Sequence, residues 1–164
     1  MSYRRKWITM FIVILGFVMF IPVAQAERQY VEFILCGAST WNVVESSLEL
    51  GIGSYDAKCI IQSTHESGLF DNWTVHLIGV EKWMGIDGTW NTLSKRTAPD
   101  GDFIIWESYG DSEHGSTFKP IYGTGKWKGV KGELKIKQLR TGKPNIRFTD
   151  QFCEEHIGWI ELPE

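Results

Sequence analysis

Helical periodicity is missing from this sequence. No window of about 12 residues repeats apolar side chains at three- and four-residue spacing, which argues against a helical bundle or a doubly wound α/β fold. Cysteine is scarce: Cys36, Cys59 and Cys153 are separated by 23 and 94 residues, spacings that match no zinc knuckle. The four histidines, His65, His76, His114 and His156, include no two at metal-ligand spacing with a carboxylate partner. No metal and no other cofactor is therefore expected. No serine has a nucleophile-elbow context, and no serine–histidine–aspartate set can be argued from spacing. Internal repeats and low-complexity segments are also absent.

Acid is absent from the first 26 residues. Arg4, Arg5 and Lys6 precede an apolar run from Trp7 to Ile21, and Ala24-Gln25-Ala26 supplies small residues at the cleavage spacing. This reads as a secretory signal peptide cut after Ala26. The run is a little short for a membrane span and ends at Pro22. No cysteine follows the small residues, so a lipoprotein anchor is not expected, and no stable membrane anchor should remain after cleavage. The expected location is secreted or periplasmic.

Residues 27–164 then form a single domain of 138 residues, enough for its own core. The leader holds three of the 17 basic residues and none of the 20 acidic ones, so the remainder carries a net charge of −6. That balance argues against general nucleic-acid binding. Nine basic residues nonetheless lie between Lys119 and Arg147 with one acid, Glu133. They read as a solvated strand face or as an anion-binding patch. In an oxidising compartment one disulfide and one free thiol are expected, with all three pairings open.

Strand signals recur every 8–14 residues with glycine turns between them. Tyr30–Cys36, Lys58–Ser63, Asn72–Met84, Thr89–Arg96, Asp102–Tyr109, Ser116–Tyr122, Glu133–Arg140, Ile146–Phe148 and Phe152–Leu162 read as strands. Gly37–Ser39 and Gly51–Ser54 read as breaks, and Trp41–Leu50 fits either a strand or irregular helical turns. Asn72–Met84 carries apolar residues at both parities, as in a strand covered on both faces or one crossing a barrel end. Ala98–Asp102 is a strong hairpin turn. The fold class predicted is all-β, a single antiparallel barrel of about eight strands, because closure removes exposed edges.

The densest glycine cluster is Ile121–Gly132. Gly123, Gly125, Gly129 and Gly132 surround Trp127 and three lysines. Such spacing reads as a tight connection with a bulge, at which Trp127 can cover one barrel end. It lacks the Gly-Lys-Ser/Thr end of a phosphate-binding loop.

Asp100–Asp102 opening a strand, Gly123–Gly132 about twenty residues on, and the ending Cys153–Pro163 together resemble small secreted bacterial proteins with the allene oxide cyclase and dirigent type of β-barrel. The likeness spans roughly Asn72 to Pro163. It implies a partly apolar cavity that guides a reactive hydrophobic molecule by shape, and a homo-oligomer, since the plant relatives are often trimeric. It carries over no catalytic residue.

The residues give ligand-binding candidates of their own. His76 reads as a core histidine or as one facing a cavity. Trp106 shares parity with Ile104 and Ser108. Glu107 is an inward carboxylate if the Phe103 face points inward, and an ordinary exposed glutamate otherwise. His156 reaches the interior if the last strand closes the barrel. Trp83 and Trp90 flank one turn and could form an exposed sugar-stacking pair. Three functions are expected from these features: a non-catalytic barrel binding a small apolar or aromatic molecule, a cyclase- or isomerase-like enzyme, and a surface or glycan-binding module.

Overall fold

Eight strands make up the fold: β1 (Arg28–Ser46), β2 (Gly51–Ser63), β3 (Thr74–Met84), β4 (Asp87–Thr97), β5 (Phe103–Asp111), β6 (Gly115–Gly123), β7 (Lys131–Gly142) and β8 (Thr149–Glu161). A single 3-10 turn, Gly125–Trp127, lies between β6 and β7. The computed structural model describes residues 27–47, 50–142 and 146–162. The expected leader and the tip of the expected turn at residues 143–145 lie outside these ranges.

Each strand pairs antiparallel with the next, and β8 returns to β1. The sheet is therefore a closed up-and-down barrel with no free edge. Strand alternation sorts the side chains. Along β2, Tyr55, Ala57, Cys59 and Ile61 point inward while Asp56, Lys58, Ile60 and Gln62 point out. The β6–β7 join is the thinnest, paired through Thr117↔Lys135 and Phe118↔Leu134. Pro120 in β6 has no N–H to offer a ladder, and an ion pair, Lys119–Glu133 at 3.6 Å, spans the join instead.

The two ends of the barrel differ. At the end holding Arg28 and Ile160, the interior is filled by Val31, Phe33, Leu35, Ile61, Ile104, Leu134 and Ile160, all buried. The β2–β3 loop folds across this end and buries Phe70 and Trp73. Trp127 completes the plug, stacked on Phe70 at 5.9 Å and edge-on to Trp73 at 5.0 Å. Burying each such ring contributes about 1.5–3 kcal/mol.

The glycine cluster and the Asp100–Asp102 turn, far apart in sequence, meet at this plug. Thr124 Oγ1 donates to Asp102 Oδ1 at 3.1 Å and accepts from the Phe103 backbone N–H at 2.9 Å. Lys126 pairs with Asp100 at 3.1 Å. Gly125 has φ +51°, and a Cβ there would stand 1.9 Å from the Asp102 carboxylate. Only glycine fits that approach.

Several sequence expectations are corrected. β1 runs through Gly37–Ser39 and continues to Ser46, and Gly51–Ser54 is the start of β2. The glycines there are not breaks, because they give neighbouring side chains room: a Cβ at Gly37 would meet the Cys59 sulfur at 2.3 Å, and one at Gly51 would enter the Trp83 ring. Ile146–Phe148 is a turn, with Phe148 at φ 61°. β3 is covered on one face only, since Ile78 and Val80 stand on the outer surface and are exposed.

Candidate functional site

Among the described residues, the other end of the barrel is open. A cavity of about 690 Å³ occupies it, within the range of small-molecule sites. Its wall carries Trp41, Tyr55, Trp83, Trp90, Phe118 and Phe152, with Leu77 and Ile136 deeper and Ser39, Thr92, Ser116 and Gln138 as neutral polar groups.

Glycine keeps this space clear. Trp83 lies opposite Gly51, Trp90 opposite Gly110, and Tyr55 opposite Gly79 in the strand register. A Cβ at Gly110 would sit 2.4 Å from the Trp90 indole nitrogen, and one at Gly79 would sit 2.5 Å from the Tyr55 ring. The wide rings lie over neighbouring backbone and line the wall without crossing the lumen. Their polar atoms are held by the wall as well. Trp41 donates to Ser39 Oγ at 3.0 Å, Trp90 donates to Ser116 Oγ at 3.1 Å, and the Tyr55 hydroxyl bonds Thr92. The rings thus present mainly their faces to the cavity.

Glu81, Asp150 and Glu154 are the acidic lining residues. Burial raises the Glu81 pKa, and burial pushes Tyr55 up to about 12, so the Tyr55 hydroxyl stays protonated at neutral pH.

Below the floor lies a buried polar group. Arg96 is fully buried, with its guanidinium carbon 4.9 Å from the Trp106 ring centre, 5.1 Å from Phe118 and 5.3 Å from Phe33. Nε donates to Ser94 Oγ at 3.3 Å, while both terminal nitrogens lack a hydrogen-bond partner. Burial lowers its pKa to about 9, leaving a cation at neutral pH. His156 is also fully buried, stacked on Phe33 at 5.0 Å with Nε2 3.3 Å from a Glu154 oxygen.

Burial drops the His156 pKa to about 4, which has a consequence for stability. The unfolded chain takes up a proton near the ordinary value of 6.5 and the folded chain does not. Stability from this group is therefore complete above about pH 6.5 and is lost as the pH falls toward 4, by about 3 kcal/mol in all. Urea unfolding midpoints across that window should fall more steeply for the wild type than for His156→Gln. Parallel slopes would contradict the assignment.

The structure separates the sequence candidates. Trp106 and His156 face the interior together, around Arg96. His76 and Glu107 stand on the outer surface. His76 is exposed and pairs with Asp56 at 3.0 Å, and Glu107 is exposed opposite Lys119. Neither reaches the cavity, because strand parity sends them out with Ile78 and Tyr109. Trp83 and Trp90 are half-buried in the cavity wall, so they do not form an exposed platform. Gly123, Gly125, Trp127, Gly129 and Gly132 lie at or beside the closed end, away from the cavity lining. Among the described residues, no group of three or more His, Cys, Asp or Glu could hold a metal ion.

Sequence reasoning missed Arg96, Tyr55, Glu81 and Glu154. Arg96 sits in β4, where the inward residues beyond Trp90 (Thr92, Ser94, Arg96) are polar, so hydrophobicity gives little sign of which parity faces the core.

The fold is an eight-stranded antiparallel barrel, plugged at one end and, among the described residues, open at the other. The solved structures of the pterocarpan synthase dirigent proteins PsPTS1 and GePTS1 share this fold. The first superposes with a TM-score of 0.52 at 11% identity, covering 84% of this chain and 97% of its own. The second gives 0.52 at 8% identity, covering 84% and 92%. No protein-family model matches the chain, and no curated protein matches it. At these identities the likeness is one of fold.

Proposed function

We propose that this barrel is a secreted or periplasmic binder of a small apolar or aromatic molecule, held in the open-end cavity. The observation that supports this reading most is the aromatic wall itself. Its indole and phenol rings are seated on glycines around about 690 Å³ of space. Flat faces at this density favour a planar or hydrophobic guest. The Cys36–Cys153 disulfide supports an oxidising compartment, in line with export and cleavage after Ala26.

N-phenyl-1-naphthylamine, whose emission rises in apolar surroundings, tests the binding. Saturable one-to-one binding is expected, with at least a tenfold loss in Gln138→Trp, which puts an indole into the cavity from its exposed rim. Absence of binding, or binding indifferent to that substitution, would remove the proposal. Export is tested by the intact mass of the protein recovered from the envelope or medium, which should begin at Glu27.

A second reading rests on Glu81. A cavity carboxyl with a raised pKa can deliver a proton, so a cyclase- or isomerase-like role guided by shape follows if a bound guest is converted. Turnover lost in Glu81→Gln with guest binding retained would distinguish this reading from simple binding.

A further inference from the structure

The binding reading leaves the polarity of the guest open, and the floor of the cavity bears on it. Buried donors almost always find a partner, because leaving one unmade costs its full desolvation. Arg96 has two such nitrogens, Nη1 and Nη2, and its side chain is fully buried. The three rings around it offer faces to the cation but no acceptor atom. The one side-chain bond it makes, Nε to Ser94, leaves the fork of the guanidinium free. That fork is the geometry that matches a carboxylate through two parallel hydrogen bonds.

The guanidinium is not part of the cavity lining, but lining residues stand beside it. Phe118, 5.1 Å from its carbon, lines the cavity, as does Glu154, whose charge acts on Arg96. Resting on the binding reading above, we infer that the guest carries a carboxylate or similar oxyanion that passes between Phe118 and Glu154 to bond the free Arg96 fork, while its apolar body lies against the aromatic wall.

The acidic side chains in the wall act against this. Glu81 and Asp150 are only half-buried, so water screens them. Arg96 is fully buried, where each charge-assisted bond is strongest. Glu154 makes no ion pair with Arg96 and stands 3.3 Å from His156 Nε2 instead, so the fork remains available. An internal water bridging Arg96 to Glu154 is the competing way to satisfy those donors.

Three naphthalene probes separate these outcomes by calorimetry or tryptophan quenching at neutral pH: 2-naphthoate, 2-naphthalenemethanol and 2-naphthylmethylammonium. The expected order places the carboxylate at least tenfold tighter than the alcohol, with the ammonium weakest. Arg96→Gln should bring carboxylate and alcohol to within about twofold, and Arg96→Lys should keep part of the difference. Should Arg96→Gln fail to fold, the wild-type order and Arg96→Lys still decide the matter. Equal binding of carboxylate and alcohol by the wild type overturns the inference and favours the bridging water, leaving the binding reading intact. Tightest binding of the ammonium overturns it in favour of recognition by the acidic wall. Binding of none of the three defeats the cavity reading itself, and this inference with it.

Discussion

Replacing Trp127 with alanine is expected to lower the stability of the barrel by about 3–5 kcal/mol, the usual cost of deleting a buried indole. The ring is 1% exposed and touches both other aromatic members of the plug, Phe70 and Trp73. Its Nε1 has no hydrogen-bond partner, so the loss is one of packing and cavity formation. The backbone at this position cannot easily close the void. Trp127 N–H donates to the Thr124 carbonyl at 2.9 Å, and Val130 N–H donates to the Trp127 carbonyl at 3.0 Å. The neighbouring Gly123 lies against that same carbonyl, where a Cβ would be only 2.1 Å away. Urea unfolding reads the effect as a lowered midpoint with little change in slope. A loss below about 1 kcal/mol would show that the plug contributes little to closure.

Removing the disulfide should cost a comparable amount by a different route. Cys36 and Cys153 are direct cross-strand partners on β1 and β8, the pair that closes the barrel. Their separation of 117 residues ties down almost the whole domain. The chain-entropy relation gives about 5 kcal/mol for a loop of that length. Cys36→Ser/Cys153→Ser, or the wild type in reductant, should therefore unfold at much lower urea than the oxidised protein. An unchanged midpoint would mean that the cross-link does not appreciably restrict the unfolded chain. Cys59 is a built-in control. It is buried, and burial raises its thiol to about 12, so little thiolate is present at neutral pH to exchange. Cys59→Ala should leave the disulfide intact and have a much smaller effect.

Much of the architecture was legible in the chain because β-structure is written with period two and punctuated by glycine. The strands from β3 to β7 lie close to their sequence boundaries, since alternation and turn residues such as Pro99-Asp100-Gly101 mark them locally. The N-terminal third was harder to read for a specific reason. Glycine serves two purposes in this protein, at turns such as Gly85 and Gly101, where φ is positive, and in strands such as Gly37 and Gly51, where an adjacent side chain needs the room. Sequence alone does not distinguish them, because the ring that covers a glycine belongs to another strand. The same limit explains His76 and Glu107. Each lies on a strand with apolar residues at both parities, so pattern could not say which set faces inward.

From its residues alone this chain is committed to strands, to antiparallel hairpins and to a domain with enough aromatic mass for a core, since these depend on neighbours a few residues apart. Three things were decided only by closing the sheet. The choice of inward parity turned Trp83 and Trp90 into cavity wall and sent His76 outside. The meeting of Phe70, Trp73 and Trp127 left one end solid and the other hollow. The convergence of Arg96 with Phe33, Trp106, Phe118 and His156, drawn from five strands, created a buried charge that no local pattern announces. Each is set by cross-barrel register, and register is a property of the whole ring of strands.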